Sequence, residues 1–156
     1  MANTLLQIGD KSPDFNLPDS NGRFHTLDQF KGKWLVLYFY PKDDTSSCTS
    51  QACGFRDDHS KFEDLGAVVV GISVDNSLSH AKFAKKYSLP FTLLSDARGT
   101  VAERFGAITN LGFFSIAKRY TFLIDSNGLL QKCYFDVNTL HHSQEILNDL
   151  VALKQI

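Results

Sequence analysis

The chain has 156 residues and three cysteines, Cys48, Cys53 and Cys133. Two of them fall in Tyr40-Pro41-Lys42-Asp43-Asp44-Thr45-Ser46-Ser47-Cys48-Thr49-Ser50-Gln51-Ala52-Cys53-Gly54-Phe55-Arg56-Asp57, which leads from an apolar run into a stretch with helical spacing. Thr45 or Ser46 is well placed as a helix N-cap, which puts Cys48 in or near the first turn. There the unpaired backbone N–H groups and the positive end of the helix dipole favour an anion. A cysteine so placed is expected to be a thiolate more often than a free one, and the thiolate is the nucleophilic form. A small, inert, buried thiol is the alternative at this point. Zinc is a poorer fit: Cys48, Cys53 and His59 have no second ligand pair to close a tetrahedral site. His141-His142 would have to fold in from afar and read as solvated surface. A dithiol of the thioredoxin type would separate its cysteines by two residues, and here four intervene. No metal and no cofactor are expected.

The elements that must position this segment follow from hydrophobic patterning. Trp34–Tyr40 is apolar on both faces and stops at Pro41, as a central buried strand should. From Ser46 to about Leu65, Ala52, Phe55, His59, Phe62 and Leu65 recur at helical spacing, and Gly66 ends the run. Ala67–Val74 is a second buried strand. A helix over Leu78–Tyr87, a strand near Thr92–Leu94 and a short helix over Thr100–Phe105 come next. Tyr120–Ile124 and Leu129–Phe135 flank an Asn127-Gly128 hairpin turn. A helix from Ser143 to Leu153 follows. Near the start, Phe15–Leu17 and Arg23–Thr26 can pair across Asp19-Ser20-Asn21-Gly22, and Thr26–Phe30 reads as one helical turn. The pattern predicts an α/β chain with a mixed central sheet flanked by helices and an N-terminal β-hairpin, a thioredoxin-like arrangement.

Composition sets the outer bounds. With 43% hydrophobic and 21% charged residues, the chain has material for a core and is not disordered. Its length predicts one domain, residues 1–156. Sixteen basic against seventeen acidic residues leave a net charge of −1, which advertises neither nucleic acid nor an anionic membrane. The longest apolar runs fall well short of the ~20 residues of a membrane-spanning helix. Met1–Asp10 has no basic start and no long apolar middle, so no secretory leader is read there and a reducing cytoplasm is expected.

Pro41, Thr45 and Cys48 reproduce Pro-x-x-x-Thr-x-x-Cys, the motif of the peroxiredoxins. With Cys53 five residues on and Phe55-Arg56-Asp57 behind it, the segment resembles the Q-type branch, also called bacterioferritin comigratory protein. The resemblance spans nearly the whole chain. It takes in Gly9–Phe15, Gly71–Asp75, Phe91–Asp96 and Arg119–Asp125 in the expected order.

This resemblance implies a thiol peroxidase. Cys48 would be the peroxidatic nucleophile and pass through a sulfenic acid. Thr45 would bridge thiolate and peroxide, and Arg119, at the start of a neighbouring strand, would favour the thiolate and polarise the leaving oxygen. Pro41 would shape the loop and screen the sulfur from water. Cys53 would resolve the sulfenic acid into an intramolecular disulfide recycled by thioredoxin or a similar dithiol. Cys133 matches no such position and reads as a buried structural thiol. Two stretches depart from the branch: Ser46-Ser47 stands where Pro-Gly is common, and Thr109–Lys118 is apolar for a loop. Competing functions are a peroxide sensor that relays its disulfide to a partner, and a redox-inert binding domain. With both cysteines in one segment a dimer has no chemical necessity, and a monomer is expected. If both lie on one regular helix, their Cα atoms stand ~8.7 Å apart. A disulfide does not span more than ~7 Å without backbone movement, so the helix would have to unwind.

Overall fold

A computed structural model describes residues 6–155. The reading of the chain's start as free of a leader therefore falls partly on residues 1–5, outside the described residues. The centre is a five-stranded sheet in the order β5-β4-β3-β8-β9. It comprises β3 (Trp34–Phe39), β4 (Ala67–Ser73), β5 (Thr92–Ser95), β8 (Thr121–Ile124) and β9 (Leu130–Tyr134). β3, β4 and β5 run parallel, whereas β8 lies antiparallel to both β3 and β9. The sheet is thus mixed, and β3 sits at its middle, which explains why Trp34–Tyr40 carries apolar residues at odd and even positions alike. The N-terminal hairpin joins β1 (Asn16–Pro18) to β2 (Phe24–Thr26), followed by a 3-10 turn over Leu27–Phe30.

Alternation along β3 divides the core in two. Leu35, Leu37 and Phe39 enter one cluster with Val70, Ile72, Phe105 and Phe122. Val36, Tyr38 and Tyr40 enter the other, with Cys48, Ala52, Phe55, Phe83 and Leu150. The second cluster is roofed by α1 (Ser46–Asp57), α3 (Ser77–Tyr87) and α5 (His142–Lys154), and the first receives the short α4 (Thr100–Arg104). Gly71 lies opposite Tyr38 in the parallel register. A Cβ there would sit 2.8 Å from Tyr38 Cζ and 2.9 Å from Leu93 Cδ2, so a side chain would drive the Tyr38 ring out of place.

Three local expectations are revised. The helix expected from Ser46 to Leu65 breaks at Asp58 into α1 and α2 (His59–Asp64). Asp58 leaves helical geometry at φ −99°, ψ 8°, and its carboxylate accepts a 2.7 Å bond from Ser143 Oγ on α5. The apolar stretch after Ile108 is a two-stranded hairpin, β6 (Ile108–Asn110) with β7 (Ser115–Ala117), turning through Gly112 at φ +78°. His142 is not solvated. It is 1% exposed, faces Thr121 Oγ1 at 2.8 Å and Glu145 Oε1 at 3.2 Å, and packs edge-on against Phe55 and Tyr134.

Candidate active site

The site forms where β3 ends. Beyond Phe39 the chain runs Tyr40-Pro41-Lys42-Asp43-Asp44-Thr45 before α1 begins at Ser46. Ligands of open α/β sheets bind at such carboxyl ends of strands. Thr45 is the N-cap residue, extended at φ −86°, ψ 157°, and its carbonyl accepts the first helical bond from Thr49 N at 2.8 Å. Its side chain does not cap the helix. Thr45 Oγ1 instead donates to the Lys42 carbonyl at 2.9 Å, bridging Lys42 to Thr45, and the residue is exposed. Cys48 is the third residue of α1, inside the first turn and 1% exposed.

Arg119 reaches this sulfur from the segment that leads into β8, the neighbour of β3. It lies in the link between β7 and β8, two residues before the strand it was expected to open. Arg119 Nη2 donates to Cys48 Sγ at 3.3 Å, and Nη1 donates to Gln51 Oε1 at 2.7 Å. The guanidinium is therefore oriented by two residues one helical turn apart on the same face of α1. It sets a permanent positive charge beside the sulfur, in addition to the helix N-terminus. Gln51 Nε2 is buried without a hydrogen-bond partner among the described residues, as is Tyr38 Oη. Burial pushes the Tyr38 phenol well above its ordinary range, with negative charge at Cys48 and Asp43 adding to it, so this hydroxyl stays protonated.

The other cysteines occupy different settings. Cys53 is half-buried on α1, and Cys48 and Cys53 are both free thiols on one continuous helix. The condition for unwinding, both cysteines on one helix, is therefore met. Behind Cys53, α1 packs closely on α5: a Cβ on Gly54 would stand 3.3 Å from Ser143 Oγ. Cys133 is half-buried on β9, its Sγ 3.9 Å from the Leu6 carbonyl, and burial raises its thiol above the ordinary range, with Asp10 adding to the effect. His59 pairs with Glu63 at 2.8 Å. Among the described residues no group of three or more His, Cys, Asp and Glu side chains converges as metal ligands.

The sequence named Pro41, Thr45, Cys48, Cys53 and Arg119, of which the structure brings Cys48 and Arg119 into hydrogen-bond contact; it did not single out Gln51 or the polar residues behind the loop. Gln51 had a visible signal, its three-residue offset from Cys48. Asp43 and His80 had none, since they meet only through the fold, with His80 Nδ1 2.7 Å from Asp43 Oδ2.

Known proteins resemble this chain over most of its length. Residues 8–133 match the AhpC/TSA family. The chain is 44% identical over 149 residues to a "Putative peroxiredoxin bcp" of Coxiella burnetii, covering 93% of this chain and 99% of that one. It is 48% identical over 147 residues to the chloroplastic peroxiredoxin Q of Sedum lineare, covering 94% of this chain and 78% of that one. The crystal structure of peroxidoxin BcpB from Mycobacterium tuberculosis superposes with a TM-score of 0.89 at 37% identity, covering 94% of this chain and 97% of that one. A cysteine in the first turn of a helix, an arginine on its sulfur and a match over most of the length lead to one conclusion: the chain belongs to the AhpC/TSA family, on the Bcp and peroxiredoxin Q branch of thiol peroxidases.

Proposed function

We propose that Cys48 is the peroxidatic cysteine, Cys53 the resolving one, and Arg119, Thr45 and Pro41 the groups that make the first step fast. The observation that carries this reading is the 3.3 Å bond from Arg119 Nη2 to Cys48 Sγ at the N-terminus of α1. The Cys48 thiolate attacks the terminal oxygen of a hydroperoxide. The S–O bond forms as the O–O bond breaks, and the departing hydroxide or alkoxide takes up a proton as it leaves. Charge builds on that leaving oxygen, where Arg119 and the first-turn N–H groups act as prepositioned donors. Thr45 Oγ1 is a contact for the bound peroxide, and Pro41 keeps water from the sulfur.

In the second step the Cys53 thiolate attacks the Cys48 sulfenic sulfur, the S–S bond forming as the S–O bond breaks, and the released hydroxide takes up a proton to become water. For two cysteines five positions apart on a helix, that step requires the first turns of α1 to open. A dithiol protein of the thioredoxin class then reduces the disulfide. Hydrogen peroxide and organic hydroperoxides are the substrates, residues 1–156 work as one domain, and the protein acts as a monomer in the cytoplasm.

Single-turnover oxidation followed by mass spectrometry tests the division of roles. Cys48→Ser should show no sulfenic acid and no peroxide consumption. Cys53→Ser should form the sulfenic acid at the wild-type rate and stall before reduction by thioredoxin. A fully active Cys48→Ser overturns the assignment.

A further inference from the structure

The loop that leads into α1 is anchored by a buried polar cluster that the peroxidase chemistry does not use. His80, on α3, is fully buried. Its Nε2 lies 2.9 Å from the Leu94 carbonyl on β5, and its Nδ1 lies 2.7 Å from Asp43 Oδ2. Each ring nitrogen thus faces an oxygen of a different element. Asp43 Oδ1 accepts from Tyr40 Oη at 2.5 Å, and Oδ2 accepts from Ser79 Oγ at 2.8 Å as well as from His80. The Asp43 backbone N–H donates to Asp75 Oδ2 at 2.8 Å, and Ser73 Oγ holds the same Asp75 oxygen at 2.7 Å. Asp43 is thus tied through side chain and backbone to the end of β3, the segment after β4, α3 and β5. Next to it Asp44 is held at φ +59°, its carboxylate fixed by Lys86 Nζ and Tyr87 Oη at 2.8 Å each. One residue further, Thr45 opens the helix that carries Cys48.

Stability alone is a weak reason for such a cluster, because buried polar groups can often be replaced by packed apolar side chains at little or no cost. We propose that His80 is a positioning residue: braced on the Leu94 carbonyl, it fixes Asp43 and with it the Pro41–Thr45 loop, so that Cys48 meets Arg119 and the peroxide in register. This rests on the reading of Cys48 as the peroxidatic thiol. It separates the two chemical steps. The attack on peroxide needs the loop and first turn held in place, whereas disulfide formation needs that turn to open and gains nothing from the anchor.

The test compares His80→Gln, His80→Asn and Tyr40→Phe with wild type by quenched flow and mass spectrometry, timing sulfenic acid formation and disulfide formation separately. An asparagine amide nitrogen can occupy the place of Nδ1 and donate to Asp43, whereas that of glutamine extends toward the place of Nε2 and away from it. His80→Gln should slow the peroxide step by about 10²-fold, the scale of a ~1 Å misplacement, with the disulfide step no slower than wild type. His80→Asn should restore most of the peroxide rate, although glutamine is the closer match in volume; a mere space-filling role predicts the opposite order. Should His80→Gln lose its far-UV circular dichroism, Tyr40→Phe decides, with an expected loss of about fivefold in the peroxide step alone. Wild-type rates in folded His80→Gln, or in Tyr40→Phe, overturn the positioning role while leaving the peroxidase reading intact. A wild-type protein that forms no sulfenic acid overturns the peroxidase reading and this proposal with it.

Discussion

The two faces of β3 are built from the same kind of strand and used for different ends. On one face Leu35, Leu37 and Phe39 pack among Val70, Ile72, Phe105 and Phe122, and the buried carboxylate beside them, Asp96, serves to receive the Val101 and Ala102 N–H groups of α4. On the other face Tyr38 and Tyr40 follow Val36, and buried there are Cys48, Gln51, Asp43, His80 and His142. Both faces exclude water, but the second buries more groups that need partners. An apolar face supplies rigidity at low risk. A face with thiol, guanidinium, imidazole and carboxylate in a low-dielectric setting makes each electrostatic contact strong and each missing partner costly.

The contrast can be broken from either side. The largest expected effect is on the polar face: Arg119→Met should slow the reaction of Cys48 with peroxide by about 10²–10³-fold, the usual loss when one preorganised donor is removed. Stopped-flow oxidation and iodoacetamide alkylation at neutral pH both report on it. Unchanged rates in both would assign Arg119 a structural role only. On the apolar face, Leu37→Ala should cost about 2–5 kcal/mol by leaving a cavity, measured by urea unfolding. The rate per folded molecule should stay at the wild-type value, and a parallel loss of rate would show that the faces are not separable.

A smaller effect should come from pH. Burial holds His142 below its ordinary 6.5, outweighing the opposing pull of Glu145, so the fold prefers the neutral ring. The unfolded chain takes up its proton near 6.5, and between that value and the lower folded one the unfolded state binds more protons. Stability is therefore complete above about pH 6.5 and declines below it, by at most about 1.4 kcal/mol per pH unit from this group. Thermal unfolding scans should show the decline in wild type and a shallower one in His142→Gln. Equal slopes would remove His142 as the cause.

Much of this arrangement is legible in the sequence because it is local. Buried strands announce themselves by apolar residues at consecutive positions, as in Trp34–Tyr40 and Ala67–Val74, and the Pro41, Thr45, Cys48 spacing identifies the loop and first turn. What escapes detection is set from a distance. The break at Asp58 is fixed by Ser143 on α5, while the helical periodicity runs through it undisturbed. His142 reads as surface because the Thr121, Phe55 and Tyr134 groups that bury it lie on other elements. Strands β6 and β7 are three residues each, and Leu111, Phe113 and Phe114 between them are exposed, so neither length nor alternation marks a hairpin.

In the proposed mechanism one helix holds Cys48 ready for peroxide and then opens so that Cys53 can reach it. Amide hydrogen exchange on the reduced and the peroxide-oxidised protein, with the Cys48–Cys53 disulfide verified by mass spectrometry, tests this directly. Residues Ser46 to Phe55 should lose protection on oxidation while β3, β4 and β8 keep theirs. Unchanged protection across Ser46 to Phe55 with the disulfide in place would contradict it.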